Sequence, residues 1–303
     1  MGARFEYLMV GGPLRMIITS GARARATLLG VATVLAFTPA HAESSVASWP
    51  TQVTASYKLS FTGFGEVGKI QFQSQVDGST YTSTGTAEVK VPLIYTWSSN
   101  VIGAGKLVAG TPKPITYSFS SKGKPIIGAT KNNSINVGFK DNAVSQVTIT
   151  PPNIPGGPKY VPILPEHMKD ALDPITAVMM FTRVNGASPC ARRIPIFDGK
   201  QRFDLLMTSA GQQKIAETRP SGQPGIGYLC KVRYLPISGH KNNEESKNAA
   251  DKTDIEVALR PVPSANLLVP YRVTVATKWG TGTMLLQRMD IVAPGQKQIA
   301  LVH

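Results

Sequence analysis

The sequence has 303 residues, a net charge of +14 at pH 7 and two cysteines. No apolar run in it reaches the roughly 20 residues that a membrane-spanning helix needs, which excludes a helical membrane protein. The two cysteines belong to no C-x-x-C motif, which argues against a structural zinc site.

Residues 16–42 have the pattern of a secretory signal peptide. Two arginines precede a mostly apolar stretch over residues 26–37, and Ala40-His41-Ala42 is a cleavage site of the A-x-A type. The apolar stretch is too short for a membrane anchor, which would need about 20 residues. We therefore expect a cleaved signal and a mature protein that begins at about Glu43.

Export has consequences for location and partners. We expect a periplasmic protein in which residues 1–42 form the signal region and residues 43–303 form a single β-rich domain. The signal region carries four arginines and one glutamate, so about +11 of the net charge belongs to the mature chain. In the envelope, lipid head groups and cell-wall polymers are the natural anionic partners, and nucleic acid is not expected. Whether translation begins at Met1 or at Met16 stays open.

The first half of the mature chain alternates between apolar and polar residues, with turn residues at short intervals. Such alternation, rich in β-branched and aromatic residues, predicts half-buried strands. Because the turns are closely spaced, neighbouring strands are expected to pair in sequence as an antiparallel meander. The predicted strands cover residues 53–62, 67–76, 81–91, 93–101, 114–121, 125–139 and 143–150, with a turn at Lys122-Gly123-Lys124.

One helix is predicted after a proline-rich loop at residues 151–165. Asp173 is a good N-cap, and Pro174 follows at the first helical position, where its missing N–H costs nothing. The helix is expected to end at Gly186 and to cover or plug the concave face of the sheet. Its apolar positions at helical spacing are Ile175, Val178, Met179 and Thr182.

Strand patterns resume after the helix, so the chain is predicted to be mainly β. We expect a highly curved antiparallel sheet, either a β-spiral or a half-open barrel, with one helix packed on it. Residues 209–227 are polar and contain at most one short strand near Ile215, and residues 239–251 form a polar loop. The later predicted strands cover residues 193–197, 202–208, 228–237, 253–259, 271–279 and 283–292.

Cys190 and Cys230 both lie in this second half. In an oxidising compartment an isolated pair is most simply one disulfide. Two free thiols or a metal-binding pair are the alternatives. The disulfide would close a loop of about 40 residues and stabilise the protein by about 3–4 kcal/mol.

Several short motifs occur in a fixed order along the mature chain: Tyr57-Lys58-Leu59-Ser60, Glu66-Val67-Gly68, Leu172-Asp173-Pro174-Ile175, Phe197-Asp198-Gly199-Lys200, Tyr228-Leu229-Cys230-Lys231-Val232 and Pro261-Val262-Pro263. Their order resembles that of a known family. The resemblance is to the exported proteobacterial family of domain of unknown function 3108, and it covers nearly the whole mature chain. The layout is also similar to that of periplasmic envelope-integrity β-spiral proteins and lipoprotein-carrier half-barrels, which implies an exported sheet with a helix against it. The resemblance implies no catalytic residues.

No catalytic, metal-binding or cofactor-binding constellation is predicted. Ser188-Pro189-Cys190-Ala191-Arg192 faintly resembles the Ser-x-Gly-Cys-x-Arg signature of cell-wall L,D-transpeptidases, in which the cysteine is the nucleophile. Pro189 replaces the glycine of that signature, and its histidine-bearing upstream stretch is missing. A cell-wall-modifying enzyme is therefore the weakest alternative, and we expect neither enzymatic activity nor a cofactor.

Aromatic side chains on the predicted strands are the remaining functional signal. A curved sheet too small to close over its helix would leave part of its concave face as an apolar groove. The predicted function is binding of a lipid or other apolar or amphiphilic ligand, or of an envelope protein. A structural module for envelope homeostasis, acting through protein contacts, is the alternative. The residues predicted to bind the ligand are Tyr57, Phe61, Phe72, Tyr95, Trp97 and Trp279.

Overall fold

The computed structural model describes residues 48–152, 157–183, 188–215, 225–243, 255–277 and 279–302. The predicted signal peptide lies outside these residues. The first seven strands are β1 Gln52–Phe61, β2 Gly65–Asp77, β3 Thr80–Val91, β4 Tyr95–Val108, β5 Thr111–Pro125, β6 Lys131–Lys140 and β7 Ala143–Thr150. After helix α1 (Pro174–Thr182) come β8 Arg192–Phe197, β9 Arg202–Lys214, β10 Ile226–Ser238, β11 Ile255–Val262, β12 Leu267–Thr277, β13 Gly280–Val292 and β14 Ile299–Val302.

The strands form one antiparallel sheet in which, apart from β7 and β8, strands that are consecutive in sequence pair with each other. Strands β1 to β7 make one half of the sheet and β8 to β13 the other. The halves join where β1 pairs with β13, from Gln52 opposite Val292 to Phe61 opposite Gly282. β7 and β8 lie at opposite ends of this strand order and do not pair with each other, so the sheet is open. The segment between them covers part of both strands, through bridges from Lys169 to Ala143 of β7 and from Leu172 to Ile196 of β8. This confirms the predicted highly curved antiparallel sheet with one helix.

Three clusters of buried residues form the hydrophobic core, and α1 contributes to each. Met179 belongs to the cluster between β1, β12 and β13. Ala177 belongs to the cluster around the two cysteines, and Ile175 to the cluster on β5, β6 and β7. One short helix therefore ties both halves of the sheet together, in the predicted position on the concave face.

The start of α1 is fixed by a buried polar cluster. The carboxylate of Asp173 accepts hydrogen bonds from Ile175 N at 3.0 Å and Thr176 N at 2.9 Å, as expected of an N-cap. The Thr176 hydroxyl donates to the same carboxylate and lies 2.7 Å from the Tyr81 hydroxyl. A Cβ at Gly103 would lie 2.2 Å from Ile175, so the absence of a side chain on β4 permits this close approach.

The end of α1 differs from the prediction. The helix ends at Thr182, because Arg183 has an extended backbone and bridges Leu267 of β12. The Arg192 guanidinium donates to the carbonyl of Met180 at 2.8 Å, which satisfies part of the last helical turn. The predicted end at Gly186 lies outside the described residues.

The boundary between β5 and β6 also corrects the prediction. Lys122-Gly123-Lys124 continues β5, with Gly123 opposite Trp97 of β4. The Tyr95 ring covers Gly123 so closely that a Cβ there would lie 2.1 Å from the Tyr95 hydroxyl. Gly123 therefore lets the Tyr95 ring pack against the backbone of β5, and it does not mark a turn. The chain turns after Pro125, and the predicted strand over residues 125–139 begins only at Lys131.

Two later segments contain more strand than predicted. Strand β9 continues to Lys214, so the predicted short strand near Ile215 is replaced by a long arm paired with β10. The exposed residues of that arm are polar or small on both faces, and therefore show no apolar–polar alternation. β14 was not predicted, because its four residues are too few to show a period.

Candidate functional site

The concave face is not completely filled. A cleft of about 440 Å³ lies between α1 and the surrounding strands. One wall comes from β1 to β4, the other from β8 to β13, and the helix lies between them. The wall residues include Ile70, Ala87 and Val101 on the first side and Leu205, Val257, Val273 and Met284 on the second.

The cleft is apolar almost throughout. Of the described residues that line it, none carries a charge, and the polar side chains are those of two serines, two threonines, one glutamine and one tyrosine, besides the indole of Trp49. Tyr57 is that tyrosine, and its burial raises its pKa above the usual range. Val178 on the helix is partly exposed and also lines the cleft, so the cleft is in contact with solvent beside α1. Such a surface can bind hydrocarbon but cannot neutralise an ionic group.

The helix that lines the cleft is anchored at several points. Ser83 Oγ lies 2.9 Å from Ser74 Oγ and 3.4 Å from the sulfur of Met179, which joins the middle of α1 to β2 and β3. Burial raises the pKa of Asp173 above its ordinary value, against the lowering effect of its hydrogen bonds. The cleft is therefore bordered by a fixed helix and not by a loose segment.

The structure separates the six aromatic residues predicted to bind ligand. Tyr57 and Phe72 line the cleft. Tyr95 and Trp97 are on β4 at odd positions, like the cleft residues Ser99 and Val101, and so point to the same face nearer the β3–β4 turn.

The two remaining aromatic residues lie at one end of the sheet, away from the cleft. Phe61 ends β1, where its ring centroid is 6.3 Å from that of Phe64. Trp279 is exposed in the turn between β12 and β13. Whether any of the six residues binds a ligand stays a prediction.

Sequence reasoning missed most of the cleft, because its lining is aliphatic. Met284, Ile255 and Val273 are ordinary strand residues, and Phe181 and Val178 are ordinary helix residues. The only available signal was the unusually broad apolar surface of α1, which required more than one partner surface.

The two cysteines form the predicted disulfide. Cys190 and Cys230 are bonded, with their Cα atoms 5.4 Å apart, and both side chains are buried. The bond joins β10 to Cys190, two residues before β8 begins at Arg192, whose guanidinium donates to the Met180 carbonyl in the last turn of α1. In this state the Cys190 sulfur is not a free thiolate, which is the form a nucleophilic cysteine needs.

Two further features concern the described part of the chain only. No helix in it is long and apolar enough to cross a membrane. No group of three or more His, Cys, Asp or Glu side chains in it is placed to hold a metal ion.

Comparisons with known proteins show similarity to solved structures and no family. No family model matches the chain, and no curated protein matches it. Among solved structures, it is similar to a beta-barrel-like protein of domain of unknown function DUF1849 from Brucella abortus. The identity is 10%, the TM-score is 0.46, and the similarity covers 80% of this chain and 99% of that one. Membership of the family of domain of unknown function 3108 stays a prediction from the order of motifs.

Proposed function

We propose that this chain is a periplasmic, non-enzymatic protein of the cell envelope that binds an apolar or amphiphilic ligand in the cleft beside α1. The observation that carries the proposal is the cleft itself. Its volume of about 440 Å³ lies within the range of roughly 300–1,000 Å³ that is usual for small-molecule sites. Its lining favours hydrocarbon over any charged ligand group.

The polar part of such a ligand would have to remain at the surface. The cleft meets solvent beside Val178, so a head group can stay hydrated while a chain lies between α1 and the strands. The protein has 32 basic and 18 acidic residues, which favours an anionic head group over a cationic one. A bacterial lipid or a lipid-modified envelope component has this combination of groups.

The test is a substitution that fills the cleft. Ala87 is half-buried on the face of β3 that lines the cleft, and Ala87→Trp would occupy the ligand volume. We expect it to weaken binding of an apolar fluorescent probe at least about tenfold, since most of the buried contact area is lost. Mass spectrometry of solvent extracts from the purified protein should identify a co-purified amphiphile in the parent and less of it in the variant.

A matched control is available on the neighbouring strand. Ala104 is also half-buried but lies on β4 at an even position, hence on the opposite face from the cleft residues Ser99 and Val101. Ala104→Trp should leave probe binding unchanged. Absence of probe binding by the parent protein, or equal binding by both variants, would contradict ligand binding. It would favour an envelope module that acts through protein contacts.

Expected export is tested separately. N-terminal sequencing of the protein recovered from the periplasmic fraction should begin at about Glu43. A chain that keeps residues 16–42, or that stays in the cytoplasm, would contradict the proposed location without bearing on the cleft.

A further inference from the structure

One end of the sheet carries exposed aliphatic side chains. Leu93 in the β3–β4 turn is 86% exposed, and Ile127 in the β5–β6 turn is 88% exposed. Their neighbours Ile94 and Ile126 are also exposed, and the Ile126 N–H donates to the Ile94 carbonyl at 3.1 Å. The two turns therefore form one connected unit, which we call the apolar tip: Leu93, Ile94, Ile126 and Ile127.

The topology places other exposed apolar residues at the same end. In a meander every second turn lies at the same end of the sheet, so the β1–β2 turn is roughly 10 Å from the β3–β4 turn. Phe64 in the β1–β2 turn is exposed, as is Trp279 in the β12–β13 turn next to it. Clustered exposure of this kind marks an interaction site more often than scattered exposure does.

The backbone at Leu93 supports a role other than folding. Its φ angle is +59°, in the left-handed region that glycine and asparagine adopt readily and leucine does not. The side chain also makes little contact with the rest of the protein, since it is 86% exposed. Leu93 is unfavourable both in backbone conformation and in solvation, so it does not stabilise the fold at this position. We therefore expect its side chain to contact a partner outside the protein.

Lysines lie directly behind the apolar tip on the convex face. Lys69 and Lys122 belong to one cross-strand row that also contains Glu88 and Ser98. Lys90 and Lys124 face each other across Thr96 in the next row toward the tip. These four lysines share a groove with Glu66 and Glu88, which leaves a net charge of +2 there.

The spacing between charge and apolar groups matches a lipid surface. Lys90 precedes Leu93 by three residues, and Lys124 precedes Ile127 by three, which is about 10 Å along an extended chain. Interfacial segments bury their apolar side chains about 5–10 Å into the boundary between head groups and acyl chains. Lysines at that distance would lie at the level of the phosphates.

We propose that the apolar tip inserts into an anionic lipid bilayer, with Lys90, Lys122 and Lys124 against its phosphate groups. Charge complementarity selects this partner over an uncharged surface, and the exposed aliphatic side chains require an apolar phase behind the charged layer. This site is distinct from the cleft, so it stands whether or not the cleft binds a ligand.

The test is co-sedimentation with vesicles. The purified protein should bind vesicles of phosphatidylcholine and phosphatidylglycerol, and bind vesicles of phosphatidylcholine alone much more weakly. Leu93→Asn with Ile127→Ser should reduce binding at least about tenfold, because each buried aliphatic group contributes about that factor. The thermal midpoint should stay the same or rise, since Asn tolerates a positive φ. Lys90→Gln with Lys124→Gln should remove the preference for anionic vesicles and most of the sensitivity to salt.

A control pair lies at the opposite end of the sheet. Val108 and Ile226 are each 56% exposed there, and Val108→Ser with Ile226→Ser should leave vesicle binding unchanged. Equal losses in the tip pair and the control pair would overturn the proposal. So would failure of the parent to bind anionic vesicles, and dimerisation through the tip in place of lipid binding would assign that surface to a second copy of the chain.

Discussion

The two halves of the sheet are built from similar strands but are buried to different extents. In β2 only Val67 and Ser74 are buried, whereas β12 begins with five consecutive buried residues, Leu267 to Tyr271. Burial of consecutive residues means that both faces of a strand are covered, because side chains alternate between the faces. The second half is therefore a two-sided core, and the first half is a one-sided sheet.

Because of this difference, the second half contributes most to stability and the first half carries the exposed surfaces. The second half contains the disulfide and the buried Asp204, which pairs with Arg193 and Arg202. The first half leaves its convex face and turns free for the lysines and the apolar tip. The cleft lies between the two, with one wall from each half. If the division is correct, equivalent changes in the two halves should have unequal effects on stability.

Removal of the disulfide should have the largest effect. Cys190→Ala with Cys230→Ala is expected to lower the free energy of unfolding by about 3–4 kcal/mol, because the unfolded chain regains the freedom of a loop of about 40 residues. Urea unfolding of the parent with and without reductant measures this loss of free energy. The double variant has no disulfide to reduce, so its unfolding should be insensitive to reductant. A loss below about 1 kcal/mol would show that the second half does not depend on this crosslink.

Matched core truncations compare the halves directly. Leu268→Ala, at a fully buried position of β12, should cost about 3 kcal/mol, since it leaves a cavity in a two-sided core. Leu107→Ala, at a half-buried position of β4, should cost about 1 kcal/mol, because less area is lost and solvent can fill the space. Chemical denaturation of both variants measures the two losses in the free energy of unfolding. Equal losses would contradict the distinction between a two-sided and a one-sided half.

Titration of Asp173 should give the smallest effect, at the helix that joins the halves. Burial raises its pKa in the folded state above the unfolded value, so the folded protein holds this proton more tightly. Its contribution to stability is then greatest at low pH and declines as the pH rises from the unfolded pKa to the folded one. Asp173→Asn does not titrate, and the stability of the parent relative to this variant should fall by at most about 1.4 kcal/mol per pH unit.

Denaturation at a series of pH values measures this difference. If the profile of Asp173→Asn ran parallel to that of the parent, the carboxyl would not be coupled to folding in the way its burial implies.

Much of the fold could be predicted because its signals are local. Alternation in β1 to β3 and the Asp173-Pro174 pair depend on residues adjacent in sequence, and the structure has these elements within a few residues of the prediction. The errors occurred where a residue distant in sequence determines the local structure. Lys122-Gly123-Lys124 was predicted as a turn, but Tyr95 on the neighbouring strand covers Gly123 and keeps it in β5. The helix was extended too far because the bridge from Arg183 to Leu267 is not visible in the sequence.

The candidate site was much less predictable. Aromatic residues were chosen because they are large and amphipathic, but only Tyr57 and Phe72 line the cleft, and most of the lining is aliphatic. Aliphatic strand residues look the same in sequence whether they fill a core or border a space. The apolar tip carries a clearer local signal, Pro92-Leu93-Ile94 and Pro125-Ile126-Ile127 at turn positions, but its meaning depends on both turns lying at one end of the sheet.

The sequence by itself determined the fold class, the order of most strands, the N-cap of the helix and the pairing of two lone cysteines. Each of these follows from local periodicity, local capping chemistry or simple counting. Only the tertiary structure decided that the concave face keeps an apolar cleft and that two distant turns share one exposed apolar tip. The physical reason is that an unfilled volume and a shared end of a sheet are properties of several strands at once, and both depend on curvature and register that no single segment encodes.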